Sequence, residues 1–170
     1  MKYAPIAAIA FLTAGCGFQP LYGGGPTGPG VGAMLSSIYV DQIPDRVGYE
    51  LRNDLLDRFD ATGSPMGSRY RLKLYLMQLE EPVVFQPNTS ITRYNYTLTA
   101  HYDLIASGAS DPIKSGDVTA LAAYNVAAAP FLYSTVAAQR DAQTRAANEI
   151  AERIRTELAV YLRQVADQTR

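Results

Sequence analysis

Residue types that commonly build catalytic or metal sites are scarce in this sequence. Its 170 residues include one cysteine and one histidine, and there is no tryptophan. Because Cys16 is alone, no intramolecular disulfide can form, and the apolar core has to stabilise the fold. One cysteine and one histidine also exclude a His/Cys metal cluster. His101 is left as the single candidate base for a serine triad.

Sequence patterns typical of enzymes are missing as well. No serine stands in a Gly-x-Ser-x-Gly motif, which positions the nucleophile of many hydrolases. His101 alternates with apolar residues along a predicted strand, which indicates a solvated strand position. The carboxylates Glu80 and Glu81 precede Pro82 and are predicted to lie in a charged turn. The sequence therefore predicts no enzyme, no metal and no cofactor, and a periplasmic hydrolase would lack its catalytic set.

The charge balance is close to neutral. Lys and Arg number 15 and Asp and Glu 16, which gives a formal net charge of -1. Broad nucleic-acid binding requires a positive excess, so this balance argues against nucleic acid as a partner. Any basic function has to come from a local patch. Residues 16–170 have the length of one domain, which can bury roughly two-thirds of its unfolded surface.

The N-terminus combines one positive charge at Lys2, the apolar run Ile6–Leu12 and small residues before Cys16. This pattern is typical of a secretory signal peptide at residues 1–15, too short to span a bilayer as a helix. Small residues directly before the cysteine resemble a lipobox. We therefore predict cleavage before Cys16, lipidation of its thiol and acylation of the new N-terminus, for example with palmitate, which together anchor a protein durably.

An ordinary cleaved signal followed by a chance cysteine is the alternative to lipidation. The residue after the cysteine is Gly17 and not Asp. An Asp at this place resembles an inner-membrane retention signal in enteric bacteria, so its absence favours export to the outer membrane of a Gram-negative cell. The predicted location is the outer membrane, with the chain lipid-anchored on the periplasmic side.

A stretch rich in glycine and proline, Gly23–Gly32, follows the cysteine. Glycine is too free and proline lacks a donor, so the stretch predicts a tether and neither helix nor strand. A phosphate-binding loop is the alternative, but no Gly-Lys-Ser/Thr follows. We assign residues 16–34 to the lipidated cysteine and its tether, and residues 35–170 to one folded domain.

The periodicity of apolar residues predicts four strands and two helices. The strands are expected at Ser37–Ile43, from Arg69, from Arg93 and at Ser115–Tyr124, and two prolines at 80–87 are expected to bend or end the pairing. An amphipathic helix is expected from Arg46 to the Gly63–Pro65 turn, and a long one over Tyr133–Ala166.

The order β-α-β-β-β-α predicts an α+β fold, a two-layer α/β sandwich. Its four-stranded mixed sheet carries both helices on one face, with a parallel crossover first and an antiparallel meander after it. The second sheet face is left without a helix. The alternation places four cations on that face: Arg69, Arg71, Lys73 and Arg93.

The seven residues Cys16-Gly17-Phe18-Gln19-Pro20-Leu21-Tyr22 resemble the start of LptE lipoproteins, the lipopolysaccharide-assembly family. The predicted order of strands and helices is similar to that family too. The resemblance implies a non-enzymatic subunit that plugs the outer-membrane β-barrel of LptD in a 1:1 complex. That complex inserts lipopolysaccharide into the outer leaflet, and a polar, basic sheet face suits both a wet barrel lumen and lipid A phosphates.

The resemblance also implies basic contacts to lipopolysaccharide near strands two and three and in the last helix. Arg93 lies at about the first place, and Arg140 and Arg145 are the nearest candidates for the second. Solubilising surface charge is the alternative role for these arginines. A free periplasm-facing lipoprotein that binds a small ligand or cell-wall component is the alternative function.

Overall fold

The computed structural model describes residues 30–85, 91–126 and 132–168. The predicted signal peptide at 1–15, Cys16 and the predicted tether up to residue 29 lie outside the described residues. The elements in chain order are α1 (Val31–Leu35), β1 (Ile38–Val40), α2 (Asp45–Phe59), β2 (Tyr70–Phe85), β3 (Ile91–Ala106), β4 (Pro112–Asn125) and α3 (Leu132–Gln168).

The four strands form one sheet in the order β1-β2-β3-β4. Strand β1 runs parallel to β2, and the later pairs are antiparallel. The predicted two-layer α+β fold is therefore confirmed. The short helix α1 was not expected, because its first residues belong to the stretch that we assigned to the tether. Burial of Val31 and Leu35 in the core holds this turn of helix despite the neighbouring glycines.

Helix α2 follows from a stripe of apolar residues four positions apart. Val47, Leu51 and Leu55 are buried on one side of the helix and contact the sheet layer. The helix ends at Phe59, and its C-cap residue Asp60 adopts a left-handed conformation with φ 53°. The end comes before the predicted Gly63–Pro65 turn, because Asp is one of the few residues that tolerate this conformation.

The long helix α3 lies beside α2 on the same face of the sheet. Its 37 residues extend over about 55 Å at 1.5 Å per residue. Ile150, Ile154 and Leu158 are fully buried and face the sheet. Arg58 of α2 donates to Glu152 of α3, which joins the two helices at the surface.

The prolines were expected to bend or end the β2–β3 pairing; they do not end it, but the ladder is irregular at Pro82. The ladder runs from Tyr70 opposite Ala106 to Phe85 opposite Ile91, with a register shift between Pro82 and Val84. Glu80 and Glu81 therefore lie in a strand and not in a turn. Strand β1 pairs with β2 only as far as Leu72, so the rest of β2 is an edge strand, where a proline is tolerated.

Candidate functional site: the uncovered sheet face

One face of the sheet carries the core and the helices, and the other carries no helix within the described residues. Along β2 and β3 the even-numbered side chains, such as Leu72 and Leu98, are buried beneath the helices. The odd-numbered side chains point to the opposite side. We call this side the open face, and its side chains include Tyr39, Arg71, Lys73, Tyr75, Met77, Leu79, Glu81, Val83, Arg93, Asn95, Thr97, Thr99, His101, Asp103, Asp117, Thr119 and Leu121.

The open face is apolar along β2. Exposed fractions are 61% for Tyr75, 71% for Met77, 52% for Leu79 and 46% for Val83. We call these four side chains the apolar stripe. The sequence predicted a polar, basic face, which holds for β3 and for Arg71 and Lys73 at the start of β2 but not for the rest of β2. The missed signal is that Tyr75, Met77 and Leu79, at odd positions of β2, are large and apolar.

Two of the predicted cations lie at the end of the open face beside β1. Arg71 and Lys73 line an open cavity of about 650 Å³ together with Tyr39 and several serines. Arg71 Nε donates to Asp41 Oδ1 at 2.7 Å, and this hydrogen bond raises the pKa of Arg71. Arg69 is exposed directly before β2. Among the described residues no ion pair involves Lys73, so its ammonium group is available to an anion.

Arg93 lies at the opposite end of the open face. It is paired with Val84 on one side and Asn125 on the other, and its side chain is exposed. Val84 lies thirteen positions after Arg71, which corresponds to about 40 Å at 3.3 Å per residue. The four cations of β2 and β3 therefore form two separate groups at the ends of the apolar stripe and do not merge into one basic patch.

The arginines of α3 have different surroundings. Arg145 is paired with Asp141, with Nε and Oδ2 2.9 Å apart, and its Nη2 donates to the carbonyl of Ala123 at 3.1 Å. Arg145 thus fastens α3 to the outer edge of β4. Arg140 is exposed, and the described part of the chain provides no ion pair for it. Of the two predicted cations in α3, Arg145 is therefore committed to structural contacts, and Arg140 is the more accessible one.

His101 lies on the open face between two carboxylates. Its Nδ1 is 2.9 Å from Asp117 Oδ1, and its Nε2 is 3.6 Å from Asp103 Oδ1. The hydrogen bond with Asp117 raises the pKa of His101. Ser115 Oγ donates to Asp103 and not to the imidazole, so this is not the arrangement of a serine triad. Within residues 30–85, 91–126 and 132–168 no cluster of His, Cys, Asp and Glu could hold a metal ion.

On the helix side, Glu80 connects the outer half of the hairpin to the body of the protein. Its carboxylate accepts hydrogen bonds from Gln139 Nε2 at 2.8 Å and from Tyr124 Oη at 3.4 Å. Burial, together with the charge of Glu80, raises the pKa of Tyr124 to about 12. The carboxylate that the sequence placed in a turn therefore has a structural contact to α3.

Solved structures of lipoproteins share this fold. A lipoprotein from Caulobacter crescentus is 28% identical, with a TM-score of 0.63 over 78% of this chain and 95% of that chain. A minor lipoprotein from Acinetobacter baumannii is 15% identical, with a TM-score of 0.56 over 73% and 89%. The rare lipoprotein B from Shewanella oneidensis is 9% identical, with a TM-score of 0.57 over 76% and 96%.

Sequence comparisons give a more specific result. A search of curated proteins finds no match. None of the helices in the described ranges is long and apolar enough to cross a membrane. The sequence profile of the LptE family, whose description is lipopolysaccharide-assembly, matches residues 35–158, which is well over half of the chain. The chain therefore belongs to the LptE family of lipopolysaccharide-assembly lipoproteins.

Proposed function

We propose that this protein is a non-enzymatic subunit of the lipopolysaccharide translocon, anchored to the outer membrane through lipid on Cys16. It plugs the lumen of an LptD-type β-barrel in a 1:1 complex and binds lipopolysaccharide during insertion into the outer leaflet. Family membership supports the role in assembly. The partner, the ligand and the membrane are proposals that rest on the family and on the open face.

The observation that carries the proposal is the composition of the open face. Lipopolysaccharide combines acyl chains with anionic phosphates, and the open face combines the apolar stripe with cations at both ends. Arg71 and Lys73 lie at one end and Arg93 at the other. Guanidinium groups bind phosphate oxygens in pairs, and exposed apolar side chains next to them favour an amphiphile over a simple ion.

The same face suits the inside of a barrel. The lumen of a large outer-membrane barrel is polar and wet. Thr99 and Thr119 form a hydrogen-bonded pair at 3.0 Å on the open face, and neighbouring Thr97 and Asn95 continue this polar row along β3. A face with one polar row and one apolar stripe can therefore contact both the barrel wall and a lipid in transit.

The alternative is a free periplasm-facing lipoprotein that binds a small ligand or a cell-wall component. The cavity of about 650 Å³ beside Arg71 and Lys73 favours it, because its size is in the range of small-molecule sites. Hydroxyl groups of Tyr39, Ser68 and Ser107 could orient a polar ligand there.

Purification of the tagged full-length chain from outer membranes tests the proposal. We expect a large β-barrel protein to co-elute in equal amount and to stay bound at high salt. The matched control is a tagged chain with Cys16→Ser, which should be missing from the outer-membrane fraction. Recovery of the wild-type chain alone from native membranes would contradict the barrel partner and favour the free lipoprotein.

A further inference from the structure

The two edges of the sheet differ in how far their backbone groups are covered. The outer edge of β4 is covered by side chains of α3: Arg153 Nη1 donates to the carbonyl of Thr119 at 3.0 Å, and Tyr161 Oη donates to that of Ile113 at 2.8 Å. Arg145 caps Ala123 in the same way. The edge of β2 beyond Leu72 has no comparable cover within the described residues. An open edge of this kind is a template for pairing with another strand.

The hydrogen-bond pattern identifies the free groups. The amide of Asp41 donates to the carbonyl of Leu72 at 2.9 Å, whereas Arg69 accepts from Ser107 on the β3 side. Even-numbered residues of β2 therefore direct their N–H and C=O groups towards the open edge. The residues whose outward backbone groups have no partner strand are Leu74, Leu76, Gln78 and Glu80. Strand β1 occupies the edge up to Leu72, and Pro82 lacks an N–H.

We propose that this edge pairs antiparallel with the same edge of a second copy of the chain, which joins two sheets into one. Leu72 and Pro82 limit the free window, and Met77 lies midway between them. A two-fold axis at Met77 therefore uses the whole window. In this register Leu76 lies opposite Gln78 of the partner subunit, and Leu74 lies opposite Glu80 of the partner subunit. All of the outward N–H and C=O groups of these residues then form hydrogen bonds.

Charge complementarity supports a second copy as the occupant. The same register places Lys73 on the open face opposite Glu81 of the partner subunit, twice in each dimer. It also places Tyr75 opposite Leu79 of the partner subunit, and Met77 opposite Met77 of the partner subunit. Opposite charges and aromatic–aliphatic pairs stabilise antiparallel strands when they lie directly across from each other.

Other registers fit less well. Moving the axis towards Leu76 brings the incoming strand into the part of β2 that β1 already occupies. Moving it towards Gln78 brings Pro82 into the ladder, where its missing N–H costs a hydrogen bond. In the proposed register Pro82 of the partner subunit lies opposite Leu72, and the β-bulge that follows Pro82 bends the strand out of the ladder at this point. A groove of about 550 Å³, lined by Asp41, Pro44 and Leu74, lies beside this end.

The first test measures self-association of the full-length Cys16→Ser chain by sedimentation velocity over a range of concentrations. We expect a monomer–dimer equilibrium. Lys73→Glu or Glu81→Lys alone should raise the dissociation constant about tenfold, because each places two like-charged pairs across the dimer. The combined Lys73→Glu/Glu81→Lys variant should restore it, and Arg140→Glu on α3 should leave it unchanged.

The second test examines the register by disulfide formation in the Cys16→Ser background, where any introduced cysteine is the only one. Met77→Cys should cross-link to itself under mild oxidation. Leu79→Cys should not cross-link to itself, since position 79 in one subunit would be about 14 Å from position 79 in the other. A mixture of the Leu79→Cys and Tyr75→Cys chains should cross-link.

Three outcomes would overturn the dimer proposal. They are a monomer at every concentration, a dimer whose charge reversal is not rescued by the double change, and equal self-linking of Leu79→Cys and Met77→Cys. A monomer whose β2 edge cross-links only to a barrel protein would assign the edge to that partner. This dimer is a state of the chain outside the barrel, because a 1:1 plug leaves no place for a second copy. It is measured without lipid or barrel, so absence of the dimer leaves the proposed function intact, and absence of a barrel partner leaves the dimer proposal intact.

Discussion

Tyr102 Oη donates a hydrogen bond to Glu157 Oε2 at 2.6 Å, which fastens the central strand β3 to helix α3. The ring of Tyr102 is fully buried and lies over Gly116, its partner residue on β4. Burial and the bond to Glu157 raise the pKa of Tyr102 well above its ordinary value. Gly116 is required here because a Cβ at this position would lie 2.7 Å from Tyr102 Oη and 2.8 Å from ring carbons.

This packing predicts that Gly116→Ala destabilises the fold by about 1–3 kcal/mol, since a buried ring has no room to move. Tyr102→Phe should cost about 1 kcal/mol, because it removes one hydrogen bond and keeps the ring. Gly32→Ala is the control, since nothing lies within 4 Å of its added Cβ. Urea unfolding of the three variants measures the differences. Equal stability of Gly116→Ala and wild type would contradict the close contact.

The second prediction concerns pH. His101 has a raised pKa because of Asp117, so protonation is favoured in the folded state. Its contribution to stability is fully present below the unfolded pKa of about 6.5 and is lost as the pH rises through the folded pKa. Asp117→Asn should lower the His101 pKa. An NMR titration of this single histidine measures both values, and an unchanged midpoint in the variant would contradict the hydrogen bond.

The third prediction separates the ends of the open face. Arg71→Ala and Arg93→Ala should each reduce lipopolysaccharide binding and its salt sensitivity, because phosphate contacts are lost. Their effects should add in the double variant, since the sites are far apart. Stability should change by less than about 1 kcal/mol, as both side chains are exposed. Pull-downs with lipopolysaccharide and thermal melts on the same samples test this.

Lys114→Ala is the control for these variants, because Lys114 lies beside Glu157 and Tyr161 on the helix side of the sheet. Glu157 is about 25 Å along α3 from Arg140, at 1.5 Å per residue. Normal binding of the double variant at low salt would show that the open face is only a solvated surface. The lipid contact would then be confined to Arg140 on α3 or to the loops.

The fourth prediction separates the two arginines that the sequence could not distinguish. Arg145→Ala should destabilise the protein by about 1 kcal/mol, because the carbonyl of Ala123 loses its donor. Arg140→Ala should leave stability unchanged and reduce lipopolysaccharide binding. Urea unfolding and pull-downs on both variants give a clear contrast. Reduced stability of Arg140→Ala with normal binding would reverse the assignment.

The fifth prediction concerns the anchor. Cys16→Ser should give a folded protein that is absent from the outer membrane, because the glycine- and proline-rich stretch separates the cysteine from the domain. Metabolic labelling with palmitate and fractionation of membranes are the measurements. A mature wild-type protein without label would contradict lipidation. Residues 1–15 would then be an ordinary cleaved signal peptide.

The sequence by itself determined the order of the four strands and the two longer helices, and the buried faces of α2, β2, β3 and α3. Periods of two and of four residues are local properties, so the stripe Val47, Leu51 and Leu55 and the alternation after Tyr70 predicted α2 and β2 correctly. The predicted boundaries of helices and strands were less accurate where packing between distant residues overrides local preference. Burial of Val31 stabilises α1 although glycines flank this residue. Because β2 is an edge strand at Pro82, its pairing with β3 continues through the proline.

Only the tertiary structure decided how the candidate residues are distributed. Alternation places Arg71 and Arg93 on one face, but the length of the β2–β3 ladder separates them. The sequence does not distinguish Arg140 from Arg145. Only the position of α3 along β4 lets Arg145 donate to the carbonyl of Ala123. The free edge around Met77 depends on where β1 stops pairing. These features rest on contacts between residues distant in the chain, which no local period encodes.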